Sequence, residues 1–277
     1  MTIETALCYG IDRIGKRDTG LLLSHITGIR ELVLYGEKEI SADDYERFLS
    51  YVKRCESDEP LQYVIGQWEF MGLPFKTDKR ALIPRPETEL LVEKVLDYIK
   101  IISHEKKIKN PIQVLDVCTG SGCIALAIAC LAEHPTVITA VDISGEALSL
   151  AKENAENLKI SNERVKFIKS DLLDAVAGEK FDVIVSNPPY ILSREMAELS
   201  HTVRGYEPQL ALDGGVAGLD FYRKIIPQSK KALQCGGALF LEIGPVSVMD
   251  LMEDAGFSNI ILTRDYAGLE RIISGTN

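Results

Sequence analysis

From residue 111 onward, short apolar runs alternate with stretches that have helical spacing. The apolar runs lie at residues 114–115, 137–141, 165–168, 181–185, 238–243 and 260–262. Strands that alternate with helices form a mostly parallel sheet covered on both faces, because each return between parallel strands crosses the sheet as a helix. The pattern therefore predicts a doubly covered α/β domain.

The first 75 residues have the spacing of short amphipathic helices instead. Apolar positions within residues 21–29 repeat at helical intervals, and Ser41 precedes a second such stretch as a helix N-cap. Residues 68–75 predict a hairpin that turns at Met71-Gly72 and acts as a hinge, followed by a helix at 87–102. We therefore expect a helical domain at 1–75, a hairpin and connecting helix at 76–110, and the α/β domain at 111–277.

Composition describes a globular protein of 277 residues, with 46% hydrophobic and 26% charged positions. The longest apolar run, residues 123–132, is half of the roughly 20 residues that a membrane span requires, and the N-terminus lacks a signal-peptide pattern. We therefore expect a cytoplasmic protein without a membrane anchor. Without a long heptad repeat, we also expect a monomer.

The net charge is −10, which argues against affinity that depends on wrapping nucleic-acid phosphates. A protein or a small molecule is the better expected partner. The six cysteines lie far apart, without the close pairs of a disulfide framework or a zinc ribbon. Cys118, Cys123, Cys130 and His134 can be imagined as zinc ligands, but Cys123 and Cys130 sit on a helix with core spacing, and no metal site is predicted.

The sequence Asn-Pro-Pro-Tyr at residues 187–190 follows a strand-like run and carries the most chemical information. Two successive prolines lack N–H groups, so this corner offers mainly carbonyl acceptors, which suit an NH2 group. Asn187 adds a side-chain carbonyl, and Tyr190 offers an aromatic face for a planar amide or base. A simple turn is the alternative for an isolated Asn-Pro.

A glycine-rich turn and two aspartates precede this corner. The strand at 112–116 leads into Val-Cys-Thr-Gly-Ser-Gly at 117–122, and a helix is predicted at 123–133. Asp142 ends the second predicted strand, where a carboxylate can accept hydrogen bonds from two ribose hydroxyls. Asp171 follows the third strand, where it can meet an adenine amine. Each aspartate alone could instead be a helix cap or a turn residue.

The same turn also fits the dinucleotide-binding pattern G-x-G-x-x-A, which is weak by itself. Asp116 distinguishes between a dinucleotide and S-adenosylmethionine as the cofactor, because a carboxylate at the mouth of the loop would repel the pyrophosphate of a dinucleotide. S-adenosylmethionine carries a sulfonium and an ammonium and no phosphate. The acidic residue therefore favours S-adenosylmethionine.

Together these residues resemble a class I S-adenosylmethionine-dependent methyltransferase, and more closely the release-factor glutamine methyltransferase family of the PrmC/HemK type. The resemblance covers nearly the whole chain. Its specific marks are the helical N-terminal segment and Pro-Arg-Pro-Glu-Thr-Glu at 84–89. Further marks are the motifs at 116–122, 187–190, 206–208, 211–215, 218–219, 241–244 and 265–271.

The resemblance implies a Rossmann-like seven-stranded sheet that ends in a reversed hairpin, and an N-terminal domain that recognises a protein substrate. It implies methyl transfer to the glutamine of the Gly-Gly-Gln loop in peptide chain release factors. We expect the Asn187 side-chain oxygen and the Pro188 carbonyl to accept the two amide protons, while Tyr190 stacks on the amide. Cys118 stands where many members have glycine, and Leu172 replaces an aromatic residue found in some.

The candidate catalytic residues are Asn187, Pro188, Pro189 and Tyr190. The candidate cofactor residues are Asp116, Cys118, Thr119, Gly120, Ser121, Gly122, Asp142, Asp171, Leu172, Asn187 and Arg85. For Arg85, an ion pair with Glu87 or Glu89 is an equal alternative to contact with the cofactor carboxylate. The same residues allow two other functions: methylation of the exocyclic amine of adenine in nucleic acid, which shares the Asn-Pro-Pro-Tyr chemistry, and dinucleotide-dependent oxidoreduction or nucleotide binding.

Overall fold

A computed structural model describes residues 1–105 and 110–277. The chain forms two compact units. The first contains Met1–Gln67 and Ser200–Tyr206, and the second contains Trp68–Leu199 and Glu207–Asn277. Within the described residues, every helix is too short or too polar to cross a membrane.

The first unit is helical, as the spacing predicts. Its elements are α1 (Ile3–Ile14), α2 (Lys16–Thr27), a 3-10 turn (Leu32–Tyr35), α3 (Ala42–Glu56), α4 (Leu61–Ile65) and α8 (His201–Tyr206). Ser41 caps α3, because its side chain accepts the Asp44 N–H at 3.1 Å, which confirms the predicted N-cap. Phe48 and Val52 of α3 are completely buried in this unit.

Helix α8 lies far from the N-terminus in sequence but belongs to the first unit. The Tyr206 hydroxyl donates to the Ser57 carbonyl at 2.8 Å, and His201 Nδ1 lies 3.1 Å from an Asp58 carboxylate oxygen. Local spacing does not reveal such a return of the chain. That residues 1–75 fold as a separate substrate-recognition domain stays a prediction.

The second unit contains a seven-stranded sheet, which confirms the predicted α/β class. The strands are β3 (Ile112–Val117), β4 (Thr136–Asp142), β5 (Val165–Lys169), β6 (Phe181–Ser186), β7 (Leu233–Glu242), β8 (Ser258–Arg264) and β9 (Glu270–Thr276). Their order in the sheet is β5-β4-β3-β6-β7-β9-β8, with β9 antiparallel to both neighbours and the other pairs parallel.

A two-stranded hairpin precedes this sheet, in agreement with the prediction. Strands β1 (Gln67–Phe70) and β2 (Leu73–Lys76) are joined by Met71 and Gly72, both with positive φ. Positive φ at both central residues matches the right-handed twist of the two strands.

Helices cover both faces of the large sheet. They are α5 (Pro86–Glu105), α6 (Cys123–Leu131), α7 (Gly145–Asn157), α9 (Tyr222–Ala232) and α10 (Met249–Asp254). Successive residues of a strand point to opposite faces, so Val114 of β3 joins the core beneath α5 and α6, while Leu115 joins the core beneath α9 and α10. Both faces are therefore buried, as a parallel sheet requires.

Helices α1 and α2 approach closely at Gly10, which generates a stability prediction. A Cβ at Gly10 would lie 2.5 Å from Thr19 Cγ2 and 3.0 Å from the Phe48 ring. We expect Gly10→Ala to lower the free energy of unfolding by about 1–3 kcal/mol, because this overpacking outweighs the gain in helix propensity. Urea denaturation followed by circular dichroism measures the change.

The matched control is Gly20→Ala in α2, where an added Cβ would meet no described atom within 4 Å beyond its chain neighbours and its own helix backbone. This variant should raise the free energy of unfolding by about 0.5–1 kcal/mol. Equal effects of the two substitutions would contradict the close packing at Gly10.

Candidate active site

The candidate site lies where four parallel strands end. Strands β3, β4, β5 and β6 run side by side, so the residues that follow them meet at one edge of the sheet. A cavity of about 330 Å³ opens at this edge. Predicted residues that line it are Arg85, Cys118, Thr119, Gly120, Ser121, Asp142, Asp171, Leu172, Asn187 and Pro189.

The turn after β3 forms one wall of the cavity. Cys118 and Gly120 have φ values of 60° and 55°, and the Gly120 N–H donates to Asp142 Oδ2 at 2.8 Å. Cys118 therefore adopts the left-handed conformation that glycine favours, although it carries a side chain. The side chain of Cys118 thus does not prevent a left-handed conformation at this position.

Gly122 lies outside the cavity wall and is the N-cap residue of α6. Its φ is 79°, and a Cβ there would lie 3.0 Å from Ala151 Cβ and 3.2 Å from Leu126 Cδ1. The absence of a side chain therefore lets α6 start close to α7. Its predicted contact with the cofactor stays a prediction.

Asp116 lies beneath the turn rather than at its mouth. Its side chain is completely buried, and Oδ2 accepts the Thr119 hydroxyl at 2.6 Å and the Ala125 N–H at 3.2 Å. Burial raises the pKa of this carboxyl to about 7, while the two hydrogen bonds oppose the rise. Asp116 thus holds the turn to the start of α6, and direct contact with a cofactor stays a prediction.

Asp142 holds two loops at the end of β4. Its Oδ2 accepts the Gly120 N–H and its Oδ1 accepts the Ser144 N–H, both at 2.8 Å. Burial raises its pKa, and the backbone hydrogen bonds oppose the rise. Each carboxylate oxygen can accept more than one hydrogen bond, so Asp142 can also accept bonds from a ligand in the cavity.

Asp171 and Leu172 border another part of the cavity. Asp171 is exposed, whereas Leu172 is buried and has a φ of 49°. Leu172 thus presents an apolar wall next to a carboxylate. Asp171 is placed where it could meet an adenine amine, and Leu172 lines the same cavity; the cofactor contacts of both residues remain predictions.

Asn187 and Pro189 line the cavity, while Pro188 is buried and Tyr190 is half-buried outside its wall. The Asn187 Nδ2 donates to the Thr88 hydroxyl oxygen at 3.1 Å. Burial raises the pKa of Tyr190 to about 12, and the nearby Glu242 contributes to the rise. The roles assigned to these four residues from the sequence stay predictions.

The Tyr190 ring lies against glycine backbone. A Cβ at Gly244 would lie 2.6 Å from Tyr190 Cδ2, and one at Gly214 would lie 2.6 Å from Tyr190 Cα. A Cβ at Gly218 would lie 2.7 Å from the Tyr190 carbonyl oxygen. Three glycines thus leave the space in which the Asn-Pro-Pro-Tyr corner is seated.

A segment at residues 80–85 also lines the cavity. Arg85 Nη2 donates to a Glu207 carboxylate oxygen at 2.6 Å, and the other oxygen accepts the Ile83 N–H at 3.2 Å. Arg85 is therefore paired with Glu207 rather than with Glu87 or Glu89. Its predicted contact with the cofactor stays a prediction.

Thr88, Glu207 and Glu242 belong to the site or contact it, although local sequence patterns do not single them out. All three side chains are buried, and Thr88 lines the cavity. Each lies within a motif that carries the family resemblance, and that position was the available signal. In the described part of the chain, clusters of three or more His, Cys, Asp and Glu side chains suited to a metal are absent.

Two family models match this sequence. The PrmC N-terminal domain matches residues 13–66, and the methyltransferase small domain matches residues 96–203. A release factor glutamine methyltransferase of Clostridium acetobutylicum is 40% identical over 95% of this chain and 91% of its own length. A release factor glutamine methyltransferase of Thermodesulfovibrio yellowstonii is 38% identical over 93% of this chain and 91% of its own length.

The chain belongs to the release factor glutamine methyltransferase family.

Solved structures show the same fold. A methyltransferase from Pyrococcus furiosus superposes with a TM-score of 0.53 at 17% identity, over 85% of this chain and 98% of that one. The sheet with its reversed final hairpin is thus the class I methyltransferase fold, as the resemblance implies.

The close packing of the Tyr190 ring on Gly244 has a consequence for stability. We expect Gly244→Ala to lower the free energy of unfolding by about 1–3 kcal/mol, because the new Cβ displaces a packed ring. Urea denaturation measures the change. Gly145→Ala is the control, since an added Cβ there has no described atom within 4 Å and should change stability by about 0.5 kcal/mol or less. Similar values for the two variants would contradict the packing of Tyr190 on Gly244.

Proposed function

We propose that this protein transfers a methyl group from S-adenosylmethionine to the side-chain amide nitrogen of a glutamine in peptide chain release factors, within their Gly-Gly-Gln motif. The observation that carries the proposal is the position of Asn187. Its amide lines the same cavity as the turn at residues 118–121 and Asp142. The activity named for relatives at 38–40% identity is the second support.

The lining of the cavity suits S-adenosylmethionine. Asp142 has lone pairs for ribose hydroxyls, and Leu172 and Ile143 present apolar surface for a base. The carboxylates of Asp142 and Asp171 suit a cofactor with positive charge better than one with a pyrophosphate. When bound, the cofactor supplies an electrophilic methyl group on a sulfonium.

The residues of this chain would act mainly by positioning. An amide nitrogen is a weak nucleophile, because its lone pair is delocalised into the carbonyl. The Asn187 side-chain oxygen and the Pro188 carbonyl accept the two amide hydrogens and turn the nitrogen toward the methyl group. The same oxygens stabilise the positive charge that grows on nitrogen, and after methyl transfer one amide proton passes to solvent water.

The alternative substrate is the exocyclic amine of adenine in nucleic acid. The net charge of −10 disfavours it, because binding to a phosphate backbone depends on clustered Lys and Arg. Dinucleotide-dependent oxidoreduction would leave the Asn-Pro-Pro-Tyr corner without a purpose. We further infer that the protein acts as a monomer, without nucleic acid, in the cytoplasm where release factors work.

Mass spectrometry tests the proposal directly. A purified release factor is incubated with this protein and S-adenosylmethionine, digested and sequenced by fragmentation. One added methyl group on the glutamine of Gly-Gly-Gln is the expected result. A methyl group elsewhere on the release factor, or transfer only to an adenine-containing oligonucleotide, would refute the proposed substrate.

The role of Asn187 predicts a selective loss in Asn187→Ala. Methyl transfer should slow by about a hundredfold or more, because one of two positioning acceptors is gone. The dissociation constant for S-adenosylhomocysteine, measured by calorimetry, should change by no more than about threefold. Asn162→Ala, in an exposed turn outside the cavity, is the control. Equal losses of rate and of cofactor affinity would remove the assigned role.

The proposed ribose contact of Asp142 predicts a loss of cofactor affinity. Asp142→Ala should weaken binding of S-adenosylhomocysteine by about tenfold to a hundredfold, because hydrogen bonds to a charged group are lost. Calorimetry at constant pH measures the affinity. Asp97→Ala, an exposed aspartate of α5, should bind as wild type. Unchanged affinity of Asp142→Ala would count against the ribose contact.

A further inference from the structure

The Asn187 side chain must be oriented before it can serve as an acceptor. Its amide has an oxygen and an NH2 of nearly equal size, and only the oxygen can accept a hydrogen bond from a substrate amide. A rotation of 180° would present the wrong group to the cavity. The neighbours of Asn187 therefore decide whether the proposed reaction can occur, and the inference below depends on the proposed function.

The buried side chains of Thr88 and Glu242 form a chain of hydrogen bonds with Asn187. Asn187 Nδ2 is 3.1 Å from Thr88 Oγ1, and Thr88 Oγ1 is 2.7 Å from Glu242 Oε2. Thr88 is 2% exposed and Glu242 is 1% exposed. Water therefore competes little for these hydrogen bonds, and the three groups determine one another's donors and acceptors.

The direction of the hydrogen bonds follows from chemistry. A carboxylate only accepts, so the single hydrogen of the Thr88 hydroxyl points to Glu242. The oxygen of Thr88 then faces Asn187 as an acceptor, and only the NH2 end of the Asn187 amide can pair with it. The amide oxygen is left for the substrate.

We propose that Thr88 and Glu242 are positioning residues for methyl transfer, which hold the Asn187 amide with its oxygen toward the substrate. They come from the first turn of α5 and the last residue of β7, so two separate elements of the fold meet at the end of β6. Neither residue needs to touch the reacting atoms.

Protonation of Glu242 would reverse the donor and acceptor roles in the hydrogen bonds that join Glu242, Thr88 and Asn187. A neutral carboxyl can donate to Thr88, and the Thr88 hydroxyl can then donate to the oxygen of a rotated Asn187 amide. That rotation turns the NH2 group toward the cavity, where it cannot accept a hydrogen bond. Methyl transfer should therefore fall as Glu242 gains its proton and rise as Glu242 loses it.

The surroundings of Glu242 place this change near neutral pH. Burial raises the pKa of the carboxyl to about 7, against the Thr88 hydrogen bond and the positive charge of Arg271 on β9. Glu87 on α5 raises the pKa further, and the Tyr190 hydroxyl, 3.4 Å from Oε1, lowers it. Among the residues that the structure describes, the Tyr222 hydroxyl, which donates to the Glu242 backbone carbonyl, and the Cys123 thiol of α6 also face Glu242.

The test compares Thr88→Val with Thr88→Ser. Valine keeps the shape and removes the hydroxyl, whereas serine keeps the hydroxyl. Thr88→Val should lower kcat on a release factor by about tenfold or more, while Thr88→Ser should stay within about threefold of wild type. Both should bind S-adenosylhomocysteine within about threefold of wild type. The wild type and Thr88→Ser should gain activity as pH rises through 7. Thr88→Val should lose the part of that dependence that Glu242 causes, while any part caused by Asp116 stays the same in all three proteins.

Thr136→Val is the matched control for a buried threonine. Thr136 in β4 is 3% exposed, and its hydroxyl has no hydrogen-bond partner among the described residues. This variant should keep wild-type kcat and the wild-type pH profile. Unchanged kcat in Thr88→Val, or an equal loss in Thr88→Ser, would overturn the proposal.

A second readout does not depend on the substrate. Nuclear magnetic resonance of nitrogen-15-labelled protein detects the side-chain NH2 of Asn187, assigned by its loss in Asn187→Ala. This signal should shift as pH passes through 7 in the wild type and remain constant in Thr88→Val. If the Asn187 signal changes neither with pH nor in Thr88→Val, the positioning role is wrong. If the signal behaves as expected while release factors stay unmethylated, the positioning role holds and the proposed function fails.

Discussion

The candidate site depends on the parallel pairing of β3 with β4 on one side and with β6 on the other. Val117, the last residue of β3, is in register with Val141 and with Ser186. The Ser186 hydroxyl also donates to the Val117 carbonyl at 2.6 Å. Cys118 and Asn187 therefore leave the sheet side by side. A shift by one residue would exchange the faces of every side chain, so this register is a condition for the cavity.

Two buried carboxyl groups share one arrangement behind the cavity. Asp116 accepts the hydroxyl of Thr119, and Glu242 accepts the hydroxyl of Thr88, at 2.6 and 2.7 Å. Both threonines line the cavity, while both carboxyls are withdrawn from it. Burying a carboxylate is costly, and the short bonds offset part of that cost. Each threonine is in turn restricted to one hydrogen-bond direction while its carboxyl is ionised.

Much of the fold could be predicted from periodicity, and its failures have physical causes. Buried parallel strands and amphipathic helices produce strong local patterns, so the alternating domain and the helical N-terminus were predicted correctly. Strand β9 has only one buried apolar pair, Ile272 and Ile273, which point to opposite faces of the sheet. So short a run resembles a loop. The return of α8 to the first unit depends on contacts between distant residues, which local spacing does not encode.

The site was predictable where its residues follow strands, because the ends of parallel strands converge whatever lies between them. The hydrogen-bonded pairs around the cavity were not predictable, because their members lie far apart in sequence. Thr88 and Glu242 are 154 positions apart, and Arg85 and Glu207 are 122 positions apart. Several carboxylates could pair with Arg85, and spacing alone favoured the nearby ones.

The pair that forms leaves room for the other predicted role of Arg85. A guanidinium has five N–H donors, and Glu207 accepts from Nη2. Because Arg85 also lines the cavity, its remaining donors can meet a ligand carboxylate while Glu207 holds the side chain in place. The sequence offered an ion pair with Glu87 or Glu89 as the alternative to a cofactor contact, but the pair that forms, with Glu207, is compatible with that contact.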